Sequence, residues 1–219
     1  MERTLWIVVL ATIAWAVCMA IEAGGFDKSR STGLIGRFAS PVVMLELARS
    51  PHAFASILDQ GDLQRNIKVM RSNTYMDFLF VVLYCATLIL LGVACSAGVA
   101  LRTTLATTVL ATGLFDYWEN VRLLGLLRVM QSMTPSEAIL PRPVSLVKWA
   151  LFAFDLTLVA LAMLRSTNKV AGPLLMPMTA FVLLAAASTV IGLFRNNFID
   201  LSVLCLFPAL LCAAWIWRP

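Results

Sequence analysis

Along most of this chain apolar residues run in long unbroken blocks, and only one sizeable region mixes them with polar residues at short intervals. Six blocks, 5–21, 76–97, 103–124, 144–164, 173–194 and 198–217, approach the roughly 20 mainly apolar residues that a transmembrane helix requires. The pattern predicts an all-α fold, an integral membrane bundle of about six transmembrane helices. Only Arg195-Asn196-Asn197 separates the fifth block from the sixth, so that connection is expected to be tight.

The region 22–75 reads differently. A Gly- and Ser-rich stretch over 24–36 predicts an extended loop, and Pro41 to Arg49 reads as a short apolar helix. Ser50-Pro51 restarts a second helix, with serine as N-cap and proline at the first helical position, ending near Gly61. Asp62 opens a third that runs toward the second span. There Ile67 and Met70 can face apolar surface while Arg65, Lys68 and Arg71 reach headgroups, as in an interfacial helix. The expectation is an amphipathic helical cap over one mouth of the bundle. A surface for docking a partner is the competing reading. With no internal repeat and no low-complexity tract, residues 1–219 form a single membrane domain.

Composition agrees with the pattern. Hydrophobic residues make up 60% of the chain and charged ones 13%, with a mean hydropathy of +0.87, far from the roughly 45–50% and 25% usual for soluble domains. Trp6, Trp215 and Trp217 fall at one set of span ends, and Trp118 and Trp149 near the other, as interfacial anchors do. The amino-terminal Arg3 is offset by Glu2, so the first block is expected to be a retained span rather than a signal peptide. All five cysteines fall inside apolar blocks with no CxxC pair, which indicates neither a disulfide framework nor a thiol redox centre.

With six spans, both termini and the turns near 98–102 and 165–172 share one face, side A. Side B receives 22–75, 125–143 and the 195–197 turn. Five of the 17 Lys and Arg residues belong to side A and twelve to side B, so the positive-inside rule favours a cytoplasmic side B, in a bacterial inner membrane. The opposite orientation stays open, because seven of those twelve lie in one long loop. Apart from Glu2, every acid lies on side B or in a span entered from it. Basic residues scattered among acids, with no stacking platform, argue against nucleic acid.

The candidate chemistry sits inside the spans. Thr104, Thr108, Thr112, Asp116 and Asn120 recur at steps of four, one ridge of the third predicted helix. An acid within hydrocarbon lines a site, pairs with a partner, or does both. At 1.5 Å per residue, Asp116 lies about 9 Å inside the side B boundary and Glu119 about 4.5 Å, which makes Glu119 interfacial and a natural partner of Arg122. Asp77 matches the depth of Asp116 and shares its helical face with Tyr84. The two carboxylates could share a proton, clamp a cation, or be neutralised by a base. Lys148 can either snorkel to the boundary or reach an acid on the adjacent helix. Asp155 falls near the midplane, where a lone charge is improbable. The predicted ligand-binding set is Asp77, Tyr84, Thr112, Asp116, Glu119, Asn120, Lys148 and Asp155. Glu22, Arg195 and Asp200 approach the same leaflet.

His52 is the single histidine. Histidine-ligated haem, a multi-histidine zinc site and a di-iron centre all need more imidazoles. Neither GxSxG, a P-loop nor a dinucleotide fingerprint is present. No cofactor and no metal are expected.

Leu45-Glu46-Leu47-Ala48-Arg49-Ser50-Pro51, a span opening Asp77-Phe78-Leu79-Phe80, and Asp116-x-x-Glu119-Asn120 together resemble motifs of small, uncharacterised bacterial polytopic membrane proteins. The resemblance covers the first two thirds of the chain and implies no particular activity. The functional expectation is a protein that binds a lipid head group or hydrophobic ligand in an acidic side B pocket, or docks a membrane partner. An ion- or proton-coupled transporter or channel is the alternative, and an intramembrane lipid-modifying enzyme a weaker one. Partners are membrane lipids and another membrane protein.

Overall fold

A computed structural model describes residues 2–29, 40–95, 98–129, 140–165, 172–192 and 197–216. Within them the chain is helical: α1 Glu2–Ala23, α2 Pro41–Glu46, α3 Pro51–Leu58, α4 Leu63–Ala94, α5 Val99–Val129, α6 Arg142–Leu164, α7 Gly172–Gly192 and α8 Asn197–Ile216. Three helical segments, Arg3–Ala23, Leu63–Ala94 and Arg142–Leu164, are long and apolar enough to cross a membrane, and Met176–Gly192 is a shorter apolar one. The chain is that of a helical membrane protein.

The starts of the helices are those the local chemistry dictates. Ser50 Oγ accepts the Ala53 N–H at 3.1 Å at the head of α3. Asp62 Oδ1 accepts the Gln64 and Arg65 N–H groups at 3.0 and 3.1 Å at the head of α4, satisfying donors that a first turn leaves open. The third helix expected before the second span is the first three turns of α4 itself. Beside it, the Asp62 and Ser29 backbone N–H groups hold the exposed Asp27 carboxyl below its usual range. A Cβ on Gly61 would stand 2.2 Å from Asp27 Cγ, so a side chain there would displace the Asp27 carboxyl from this turn.

Consecutive long helices pack side by side, α1 on α4, α4 on α5, α5 on α6, α6 on α7 and α7 on α8, and α8 returns to touch α1. Gly113 lets α4 and α5 approach, since a Cβ there would meet Cys85 Sγ at 2.8 Å. The main core runs through this ring from Leu5, Leu88 and Leu105 to Leu156, Met163 and Met178. A second core joins α2 and α3 to the bundle, with Leu45, Phe54 and Leu58 packed on Ile67, Met70, Leu123 and Leu127. A third, smaller one sets Val43 and Leu47 against Ile199 and Trp149.

Polarity is arranged inside out. Ile21, Val82, Leu114 and Met176 stand exposed on the outer surface, whereas Thr12, Asn73, Thr87, Thr112, Asp155 and Ser202 are buried. Buried hydroxyls pair across helices: Thr12 with Thr87 at 2.8 Å, and Thr189 with Ser202 at 2.6 Å. Apolar lipid outside and paired polar groups inside is the arrangement a bilayer imposes.

Candidate functional site

Helix α6 presents Ser145, Lys148, Trp149, Phe152 and Asp155 at steps of three and four, hence on one face. That face meets Asp116 and Glu119 on α5 and, above them, Glu46 at the end of α2. Lys148 is 4% exposed, so its ammonium must find its partners within the protein. It has three: Glu46 Oε2 at 3.1 Å, Asp116 Oδ1 at 3.3 Å and Glu119 Oε2. It also lies 4.7 Å from the centre of the Trp149 ring, a cation–π contact.

Each acid is held by a second group. The Trp149 indole N–H donates to Glu46 Oε2 at 3.0 Å. Tyr84 OH donates to Asp116 Oδ2 at 3.0 Å. The Ser145 hydroxyl bonds Glu119 Oε1 and lies 3.1 Å from the Glu46 carbonyl oxygen. Burial pushes the Glu46 carboxyl above its ordinary range, against the pull of the Lys148 ammonium. Asp77 forms the edge of the cluster, half-buried and accepting from Asn120 Nδ2 at 2.7 Å. Deeper along α5, Thr112 Oγ1 donates to Asp155 Oδ2 at 2.5 Å. Asp155 is fully buried and in no ion pair among the described residues.

All eight residues expected at the site thus fall into a contiguous polar interior, but in three contact groups. Lys148, Asp116, Glu119 and Tyr84 meet directly; Asp77 pairs with Asn120; Asp155 pairs with Thr112. Asp77 and Asp116 share no hydrogen bond among the described residues, and the α4 partner of Asp116 is Tyr84.

One expectation is corrected. Glu119 is not an interfacial partner of Arg122: it is fully buried on Lys148 and Ser145, while Arg122 lies over the Trp118 ring at 4.8 Å. The depth arithmetic placed the helix boundary at Arg122, but α5 continues to Val129 and α2 covers the inner face there. Of the two courses open to Lys148, the structure shows the second: it reaches acids on the adjacent helix rather than snorkelling to the boundary. Glu22 is half-exposed at the end of α1 and makes none of these contacts. The side chains of Arg195 and Asp200 lie outside the described residues.

Sequence reasoning missed Glu46, Ser145 and Trp149 as site residues. Ser145 and Trp149 carried a signal, since they flank Lys148 on its own helical face. Glu46 carried a fainter one: it is the single acid of the apolar helix α2. Only packing of α2 onto α6 brings it to Lys148.

Chemically, Glu46, Asp116 and Glu119 contact one lysine, three acids to one base, and Asp77 adds a fourth carboxyl on Asn120 at the edge of the cluster. Carboxyl groups this close cannot all be ionised around a single ammonium without a further cation or proton. No group of three or more His, Cys, Asp or Glu among the described residues is disposed to hold a metal ion. His52 is exposed on α3. No family model, curated protein or solved structure matches the chain, so the resemblance to small bacterial membrane proteins rests on its motifs alone.

Proposed function

We propose that this is a six-span integral membrane protein, of the bacterial inner membrane with side B cytoplasmic, that binds an amine-bearing lipid head group or hydrophobic amine at the acidic site. The reading is carried by one observation, the surplus of buried carboxyl groups over the Lys148 ammonium. A ligand amine supplies the missing positive charge. Asp77 is the acid that receives it in this reading, being half-buried at the edge and hydrogen-bonded to the Asn120 amide. Helices α2 and α3 act as a cap over the site, latched through Glu46, and admit the ligand when that contact opens. Nothing in this cycle requires a nucleophile or a covalent step.

The test is mass spectrometry of lipid retained by the purified protein. Enrichment of phosphatidylethanolamine over phosphatidylglycerol, reduced in Asp77→Asn and Asp116→Asn, is the expected result; identical retention by both variants and the parent would overturn it.

A second reading, proton-coupled transport, is favoured by Asp155, a fully buried carboxyl on the same helical face as Lys148, with the Thr108 and Thr112 hydroxyls beside it and no cation paired to it among the described residues. Intramembrane acids of this kind serve in proton relays. Uptake into proteoliposomes under a proton gradient, abolished by Asp155→Asn, would select this reading over the first.

A further inference from the structure

Helix α4 has 32 residues, which at 1.5 Å each is about 48 Å. A hydrocarbon core is only about 30 Å thick, so roughly twelve residues of α4 extend past it. The polar end is the first three turns, Leu63 to Thr74, and these lie at the depth of lipid headgroups. One face of that end carries an open groove of about 400 Å³ lined by Gln64, Lys68, Arg71, Ser72 and Tyr75, with Ile67 at its floor. From the neighbouring helix, Arg128 Nη2 donates to the Tyr75 hydroxyl at 3.3 Å and brings a third cation to the rim.

No acid lines the groove, and Lys68, Arg71 and Arg128 are in no ion pair among the described residues. Three exposed cations without a counter-charge, joined by hydroxyl donors, match the oxygens of a phosphate group. Continuing along the same helical face toward the membrane, Leu79 and Val82 stand 44% and 62% exposed. They would lie alongside an acyl chain whose head occupies the groove.

We infer that this groove on the outer face of α4 and α5 is a seat for the phosphate of an anionic phospholipid, held by Lys68, Arg71, Arg128, Ser72 and Tyr75. The seat is separate from the acidic site, faces the bilayer rather than the interior, and does not depend on how that site is used. It fixes the depth and rotation of α4, the helix that carries Asp77 and Tyr84.

Native mass spectrometry of the full-length protein in detergent, titrated with phosphatidylglycerol and with phosphatidylcholine, tests the assignment. In the triple variant Lys68→Gln, Arg71→Gln, Arg128→Gln, phosphatidylglycerol binding falls on the order of 100-fold, since each such charge near a membrane contributes about a factor of five. Phosphatidylcholine, whose choline cation offsets its phosphate, loses far less, and the charge-keeping variant Lys68→Arg, Arg71→Lys, Arg128→Lys retains phosphatidylglycerol. Undiminished phosphatidylglycerol binding by the glutamine variant overturns the proposal, as does an equal loss of both lipids. Inorganic phosphate at millimolar concentration fails to displace the lipid; displacement would instead assign the groove to a soluble phosphate.

Discussion

Asp116 and Asp155 are both buried carboxyl groups facing between α5 and α6, yet only Asp116 has a cation beside it. Around Asp116 the structure gathers a lysine, two more acids, a tyrosine, a serine and an indole from four helices. Around Asp155 it offers two threonine hydroxyls, Thr108 and Thr112. The contrast teaches where charge can be kept in an apolar bundle. Near the ends of the long helices, α6 itself supplies the counter-charge, Lys148, and a segment folded over the top covers the cluster while adding Glu46 to it. In the middle, with apolar neighbours such as Leu156 and Val159, a carboxyl is accommodated by hydroxyl hydrogen bonds from the facing helix.

The largest effect expected from breaking this contrast is that of Lys148→Met. Removing the ammonium leaves Glu46, Asp116 and Glu119 buried without a counter-charge, at a cost of about 3–5 kcal/mol, read as a large drop in thermal unfolding temperature in detergent. Asp155→Asn keeps the Thr112 contact with an uncharged isostere and should cost no more than about 1 kcal/mol. Comparable losses from the two substitutions would erase the distinction between an ionic and a neutral region.

Next in size is Glu46→Gln, which weakens the charge-assisted contacts from Lys148 and Trp149 that fasten α2. About 1.5–3 kcal/mol should be lost, and amide hydrogen exchange should rise in α2 and α3 before it rises in α4 to α6. A double-mutant cycle with Lys148→Met separates the pair term from simple loss of packing; additive effects would show that Glu46 and Lys148 do not act together.

Tyr84→Phe removes one neutral donor from Asp116 and should cost about 1 kcal/mol. It sharpens the contrast by asking whether the hydroxyl or the lysine settles Asp116. The smallest change belongs to Arg122→Gln, within about 0.5 kcal/mol, as for surface sites generally. Glu119→Gln should exceed it clearly. If both gave the same small loss, Glu119 would be paired to Arg122 after all and the buried contact with Lys148 would be wrong.

Much of the fold was legible because burial in lipid leaves a simple record. Long apolar blocks can only be helices there, since every backbone group must be satisfied within its own segment. The starts of α3 and α4 were equally legible, because Ser50 and Asp62 act on donors two or three residues away. The ridge from Thr112 to Asn120 followed from helical periodicity alone. Depth was harder to read. Counting residues from Arg122 assumed that a charged residue marks the end of a buried helix, and α5 runs on for two further turns.

The sequence by itself determined that this chain is helical, apolar on its outside, and burdened with acids that a bilayer does not tolerate unpaired. Those properties come from local periodicity and composition, which act within a few residues. Only the tertiary structure decided which base answers which acid. Glu46 and Lys148 are 102 positions apart, and nothing within a helical turn of either names the other. Their meeting depends on the apolar packing of Leu45, Leu47 and Phe54 onto the ends of the long helices. Hydrophobic burial places α2 and α3, and the ion pairs follow from that placement.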